Sequence, residues 1–367
     1  MEARLLWAGL AVVAAVAACG GDDETGTPGG GTTTTTAGGG GAAGAGGGVA
    51  GAGVAGGGGQ AGGGGEGGSA GPQVETLPVK LPSPRAGLSA IWDGSKAYVF
   101  GGDGAGADIV RFEPQAGKAT TIAAKLPSAS FLTAAAFDGT HAFIFGGMKA
   151  GGAASTDEIA RFDPAKEEIT LLDAKLPTAR CRTAAAFAGG RVLVAGGTQK
   201  KAPPGDFYDE VLALDPGAGT LDAAFGKMPL KVGSRIGACA SGDYVYHFGG
   251  MIPNGKTNLI YRIDAKSGQV EERKAKLPWP LDGGSIVCTD GGEAYILGGE
   301  TLSAMKDAIV RYDIGADSIE ELGVKLPVPT KGAAAVYTGK EIYLFGGVAG
   351  DSPNSAKAVD TIVRFVP

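Results

Sequence analysis

One phrase returns six times between residues 72 and 367. A chain built this way must fold by setting similar units side by side, because one such unit is too small to bury its own apolar face. The clearest mark is an apolar run closed by a glycine pair, at Gly101-Gly102, Gly146-Gly147, Gly196-Gly197, Gly249-Gly250, Gly298-Gly299 and Gly346-Gly347, with spacings of 45, 50, 53, 49 and 48 residues. A Lys-Leu-Pro or Lys-Met-Pro mark precedes each pair, beginning at Lys80, Lys125, Lys175, Lys227, Lys276 and Lys325. A third mark follows: Arg111-Phe112-Glu113-Pro114, Arg161-Phe162-Asp163-Pro164, Ala213-Leu214-Asp215-Pro216, Arg262-Ile263-Asp264, Arg311-Tyr312-Asp313 and Arg364-Phe365.

Each unit reads as four short strands, here a to d. Strand a is a run of small residues such as Gly87 to Trp92, and strand b ends at the glycine pair. Strand c carries the third mark, and strand d, such as Thr120 to Ala123, leads to Lys-Leu-Pro. No segment sustains a helical period. Small residues on strand a (Thr133 to Ala136, Thr183 to Ala186, Gly332 to Ala335) suit six strands crowding round one axis. The glycine pairs permit a close backbone turn that a Cβ would obstruct.

These residues resemble the kelch repeat, which implies an all-β fold, a six-bladed β-propeller over residues 73 to 367. The tryptophan usual on the fourth strand is missing, and Ile122, Leu171 and Ile319, or their neighbours, stand in for it. There are six a, b and c strands, but the chain stops just after the sixth c strand, while an extra d-like strand, Gln73 to Leu77, precedes the first a strand. The N-terminal strand is therefore predicted to complete the last blade and hide its edge.

Of 68 glycines, 27 lie in the 52 residues from Gly20 to Gly71, so the overall composition averages two materials. Residues 19 to 72, rich in Gly, Ala and Thr, hold too little apolar surface to fold and are predicted to be a disordered tether. Ahead of them, Arg4 and the apolar run Leu5 to Ala18 read as a signal peptide spanning residues 1 to 18, too short for a comfortable membrane span. Val16-Ala17-Ala18-Cys19 resembles the bacterial lipobox. That resemblance implies cleavage before Cys19 and lipidation of its thiol, anchoring the chain in the cell envelope, with Gly20 compatible with the outer membrane.

Net charge is -6, so no electrostatic footprint for nucleic acid is present. Two histidines and four cysteines without CxxC or HxxxH spacing leave little material for a metal site, and no metal or cofactor is expected. A monomer is expected.

Function is expected on the face where the b-to-c and d-to-a connections emerge. The b-to-c loops vary in length: Asp103 to Ala107, Met148 to Ser155, Thr198 to Asp206, Met251 to Thr257, Glu300 to Met305 and Val348 to Val359. Variable loops on a regular scaffold are where binding residues usually sit. The entrances to strand a present Arg85, Ser130, Arg180, Gly233, Asp282 and Thr330, with Arg182, Arg235 and Lys331 close by. Arginines round one funnel suit a carboxylate or sugar acid through bidentate hydrogen bonds, but they equally suit backbone carbonyls.

Arginine opens the third mark in five units, with Asp108, Asp157, Asn258, Asp307 or Asp360 three or four positions earlier. Recurrence points to a structural bridge between blades. His247 stands where other units have Val99, Ile144, Val194, Ile296 and Leu344, in packed surroundings with its nitrogens satisfied. Cys239 and Cys288 hold equivalent positions on neighbouring a strands. They could form a disulfide in an oxidising compartment, but with Cys181 they are taken as reduced.

The reading that follows is an anchored recognition module for a protein, peptide or glycan. An alternative resembles the periplasmic kelch mutarotase acting on sialic acid, with Asp282 and Arg85, Arg180 or Arg235 as the acid/base set. A purely structural surface protein is the third reading.

Overall fold

A computed structural model describes residues 71–367, apart from 153, 200–205, 234–236 and 353–354. The expected signal peptide, Cys19, nearly all of the tether, and Arg235 lie outside the described residues. Six four-stranded antiparallel sheets account for most of the rest. Sheet 1 comprises Ser89–Trp92, Ala97–Phe100, Asp108–Glu113 and Lys118–Lys125; sheet 2 comprises Ala134–Phe137, Ala142–Phe145, Ile159–Asp163 and Glu168–Leu171. Sheet 3 comprises Ala184–Ala188, Arg191–Ala195, Glu210–Asp215 and Thr220–Lys227, and sheet 4 comprises Ala238–Ser241, Tyr244–Phe248, Ile260–Asp264 and Val270–Glu272. Sheet 5 comprises Ser285–Cys288, Glu293–Leu297, Ala308–Asp313 and Ser318–Lys325. Sheet 6 takes Ala334–Tyr337, Ile342–Phe345 and Thr361–Val366 from the C-terminal end, and its fourth strand, Gln73–Lys80, from the other end of the described chain. That strand runs antiparallel to Thr361–Val366, with Val74 opposite Phe365 and Glu75 opposite Arg364.

No sheet holds a core of its own. The buried apolar residues form six principal clusters, each shared by two consecutive sheets, and the cluster of Val99, Val110 and Phe112 with Tyr343, Phe345 and Ile362 joins sheet 1 to sheet 6. The first strands touch one another in the same cycle. The third mark explains this packing, because its aromatic residue lies against the second strand of the preceding sheet. Phe162 meets Tyr98 at 4.9 Å, Phe112 meets Tyr343 at 5.0 Å, Tyr312 meets Phe248 at 5.6 Å and Phe365 meets Tyr295 at 5.4 Å between ring centroids. Edge-to-face and tilted pairs of this kind add specificity to the apolar burial.

The glycine pairs serve the same joints. The second glycine of each pair donates its N–H to the carbonyl of the residue entering the next sheet: Gly102 to Ser130, Gly147 to Arg180, Gly197 to Val232, Gly250 to Leu281, Gly299 to Thr330 and Gly347 to Arg85. The first glycine lies flat against that carbonyl, so close that a Cβ would collide with it.

Several expectations change. The arginines of the third mark work mainly within a sheet: Arg262 pairs with Glu271, Arg311 with Glu293 and Glu320, and Arg364 with Glu75 and Glu341; Arg111 reaches Glu167 of sheet 2. Of the acidic residues preceding them, Asp108, Asp307 and Asp360 meet the lysine of Lys-Leu-Pro instead, in Asp108–Lys125, Asp307–Lys325 and Asp360–Lys80; in sheet 3, whose third mark has no arginine, Asp209 likewise meets Lys227 of Lys-Met-Pro. These pairs are solvent-exposed and add little stability. On the fourth strand of sheet 2, Leu171 faces solvent and its neighbour Ile169 packs inward. Cys239 and Cys288 are joined by a disulfide, since their equivalent positions on adjoining first strands bring the Cα atoms to 5.3 Å. Cys181 is free and buried.

His247 is fully buried as expected, but neither ring nitrogen has a hydrogen-bond partner among the described residues. Burial lowers its pKa from 6.5 to about 4. The unfolded chain therefore binds the proton that the folded chain refuses. Stability from this site is complete above pH 6.5 and falls as pH drops to about 4, a loss on the order of 3 kcal/mol. His247→Val should remove most of that acid-side slope in urea titrations at pH 4.5 and 7.5; an unchanged slope would place the titration elsewhere.

Candidate functional site

The segments entering each first strand and the loops after each glycine pair meet on one face, where they form a second tier of short pairings. Ala86 pairs with Asp103, Phe131 with Met148, Cys181 with Thr198, Gly233 with Met251, Asp282 with Glu300 and Lys331 with Val348. These pairings correct the alignment of entrances. By the carbonyl that each glycine pair uses, Val232 and Leu281 occupy the station of Arg85, Ser130, Arg180 and Thr330. Gly233 and Asp282 stand one residue further on, at the station of Lys331. A one-residue shift reverses the side a strand residue faces, so the funnel composition read from sequence changes.

Arg85 and Arg180 are fully buried and do not line the axial opening. Arg85 donates to Ser83 O, Ser83 Oγ and Gly101 O. Arg180 donates to Thr178 O and Gly196 O, approaches Glu210 at 3.3 Å and lies over the Tyr208 ring at 4.1 Å. Each holds the carbonyl of a first glycine, so both are parts of the scaffold. Burial lowers the pKa of Arg85, against the opposing pull of Asp108.

Lys331 and Asp282 fall among charged groups that the sequence reading passed over. Lys331 forms an ion pair with Glu300, whose other oxygen lies 3.2 Å from Lys256 Nζ. Lys256 also donates to the carbonyls of Glu300 and Thr301, at 3.2 and 2.9 Å. All three side chains are about nine-tenths buried, and they come from the loops of sheets 4, 5 and 6. Asp282, fully buried, is tied to Glu300 by two backbone hydrogen bonds. A carboxylate shared between two ammonium groups ties together the loops that carry all three. Asp103 stands at the station of Glu300 in sheet 1, but Lys256 is matched by Ser155, Phe207, Met305 and Ala358, and that departure is the signal by which sequence could have found the pair.

Nearer the axis, the residues just inside the entrances form a partial ring of backbone hydrogen bonds. Arg182 N–H donates to Leu132 O, Leu132 to Gly87 O, Gly87 to Gly332 O and Gly332 to Gly283 O, at 2.5–3.0 Å. All five residues have positive φ, and Leu132 and Arg182 adopt it without being glycine. The ring borders a cavity of about 140 Å³ along the axis, walled by Ser89, Thr133, Thr183, Ser285, Arg182 and alanines. Arg182 extends to Met251 Sδ at 2.9 Å.

No family model matches the chain, and no curated protein sequence matches it. Its shape is common: 923 chains of solved structure are similar, so shape alone selects no ligand. One of them, described as the structure of YjhT, superposes with a TM-score of 0.65 at 17% identity, covering 78% of this chain and 96% of that one. The fold is a kelch-type β-propeller.

Proposed function

We propose that the chain is a six-bladed kelch propeller, closed by its N-terminal strand and tethered to the bacterial cell envelope through lipidated Cys19. It acts as a recognition module for a protein, peptide or glycan, bound on the face of the entrances and variable loops. One observation carries the reading. The sides repeat from sheet to sheet while most loop-face stations do not, and the Lys256–Glu300–Lys331 ion pairs hold three successive loops in fixed positions. Prearranged loops lose less entropy on binding. The Cys239–Cys288 disulfide supports an oxidising compartment, in keeping with export.

A peptide and glycan array probed with the full chain tests this reading. Replacing the exposed loop-face residues Asn254, Leu302 and Asp351 by alanine should weaken the array signals at least about tenfold, whereas Lys340→Ala, on the opposite face, should leave them unchanged. Equal effects from both sets would move binding off this face.

A sugar-modifying enzyme is the second reading. YjhT is a kelch-type sialic acid mutarotase, and Asp282 and Glu300 place two carboxyl groups at the entrance tier. Mutarotation of sialic acid by the full chain, abolished in Asp282→Asn, would support it; no rate above background would end it.

A further inference from the structure

Asn254 and Gly255 sit at the tip of the loop that carries Lys256. Residues 253 and 254 connect two very short strands, Met251–Ile252 and Gly255–Lys256, paired as Met251 with Lys256 and Ile252 with Gly255. So small a hairpin opens locally at little cost. Asn254 is exposed, and its carboxamide makes no hydrogen bond among the described residues. Gly255 follows with φ 137°, and the space a Cβ would fill there is open. No side chain therefore shields the Gly255 nitrogen from the neighbouring carboxamide.

Other positions along the chain lack this combination. Asn258 is half-buried, donates to Leu277 O at 3.2 Å and is followed by leucine. Aspartates precede glycine at 93, 103, 138, 282 and 290, but a carboxylate resists attack by nitrogen far more than a carboxamide does. Asp93 and Asp138 are held further by two backbone N–H groups of their own turns.

We propose that Asn254 is a self-modification site. The Gly255 backbone nitrogen attacks the Asn254 side-chain carbonyl carbon. The new C–N bond closes a five-membered succinimide, the bond to the amide nitrogen breaks, and ammonia leaves carrying the proton of the Gly255 N–H. Water then adds to either ring carbonyl and opens the ring, giving aspartate or isoaspartate; nothing is oxidised or reduced. The product puts a carboxylate two residues from Lys256, whose ammonium group lies 3.2 Å from Glu300. Isoaspartate also adds a methylene to the main chain at the tip. The loop so passes from a neutral tip to an anionic one without an enzyme. The inference does not rest on the loop-face reading, since ring closure needs only the hairpin.

The test incubates the full chain in mildly alkaline, ammonium-free buffer at physiological temperature, with a synthetic peptide of residues 250–258 alongside as the clock. Incubation continues until the peptide is half converted, and the chain is then reduced, digested with trypsin and weighed by mass spectrometry against an unincubated sample. Cleavage after Arg235 and Lys256 gives peptide 236–256, in which Asn254 is the only carboxamide, and peptide 257–262, which holds Asn258. Peptide 236–256 should show the mass gain of amide-to-acid conversion, raised by the isotope when the incubation water carries oxygen-18. Its gain should be at least about tenfold faster than that of peptide 257–262, where a side chain shields the attacking nitrogen. Asn254→Gln, which must close a less favourable six-membered ring, should slow the gain at least about tenfold. The proposal is overturned if the free peptide converts while the chain stays unchanged at Asn254, if labelled oxygen does not enter, or if Asn254→Gln converts as fast as the parent chain.

Discussion

Deleting residues 73–80 will abolish cooperative folding of the propeller. The deletion strips the outer strand from sheet 6 and bares the backbone of Thr361–Val366 along the whole pairing. It also removes Val74 from the core between sheets 5 and 6, and Leu77 and Val79 from the core between sheets 6 and 1. The Glu75–Arg364 and Lys80–Asp360 pairs go with them. Three apolar side chains, even partly buried, represent about 3–5 kcal/mol, and the lost ladder adds to that, against a total stability of about 5–15 kcal/mol. An exposed strand edge also templates association. Near-ultraviolet circular dichroism should show no sharp thermal transition, and size-exclusion chromatography should show aggregates. A monomer with the parent melting temperature would mean that the ring does not need this strand.

Gly196→Ala is expected to destabilise the chain by about 3–5 kcal/mol, combining the left-handed conformation denied to alanine with a steric clash. Gly196 has φ 63°, and its new Cβ would strike the carbonyl of Val232, the same oxygen that accepts the Gly197 N–H. Relief by movement would separate sheets 3 and 4, and it would disturb the Arg180 bond to Gly196 O. Gly94→Ala isolates the conformational part, because Gly94 also has positive φ, 103°, but nothing lies within 4 Å of its Cβ position. Gly94→Ala should cost only about 1–2 kcal/mol. Urea midpoints for the two variants decide the matter; equal shifts would deny the glycine pairs their part in joining sheets.

The repeat marks made the sheets legible because each mark reports a local requirement: a glycine where backbones nearly touch, an aromatic where two sheets meet. Partnerships between marks were not legible. Lys80 and Asp360 are 280 residues apart, and nothing local in either predicts the other. The third-mark arginines were read as bridges between blades because they recur, yet a strand offers cross-strand carboxylates such as Glu271 and Glu320 at shorter reach. Arg85 and Arg180 were placed at the right station but turned toward the axis, since spacing gives the position of a side chain and not its direction. Asp282 was misaligned by one residue, the smallest error that reverses a face. Glu300 and Lys256 were missed because they lie on loops outside the repeat marks, where one copy says little about the next.

On the proposed reading, the sides of the propeller repeat in order to build it, while the loop face differs in order to bind. Hydrogen exchange of the full chain, with and without the ligand selected on the array, tests this most directly. The account predicts slowed exchange in residues 251–257, 300–306 and 348–352, with the turns at 93–96, 114–117 and 338–341 unchanged. Protection confined to those turns, with the loop face unaltered, would contradict it.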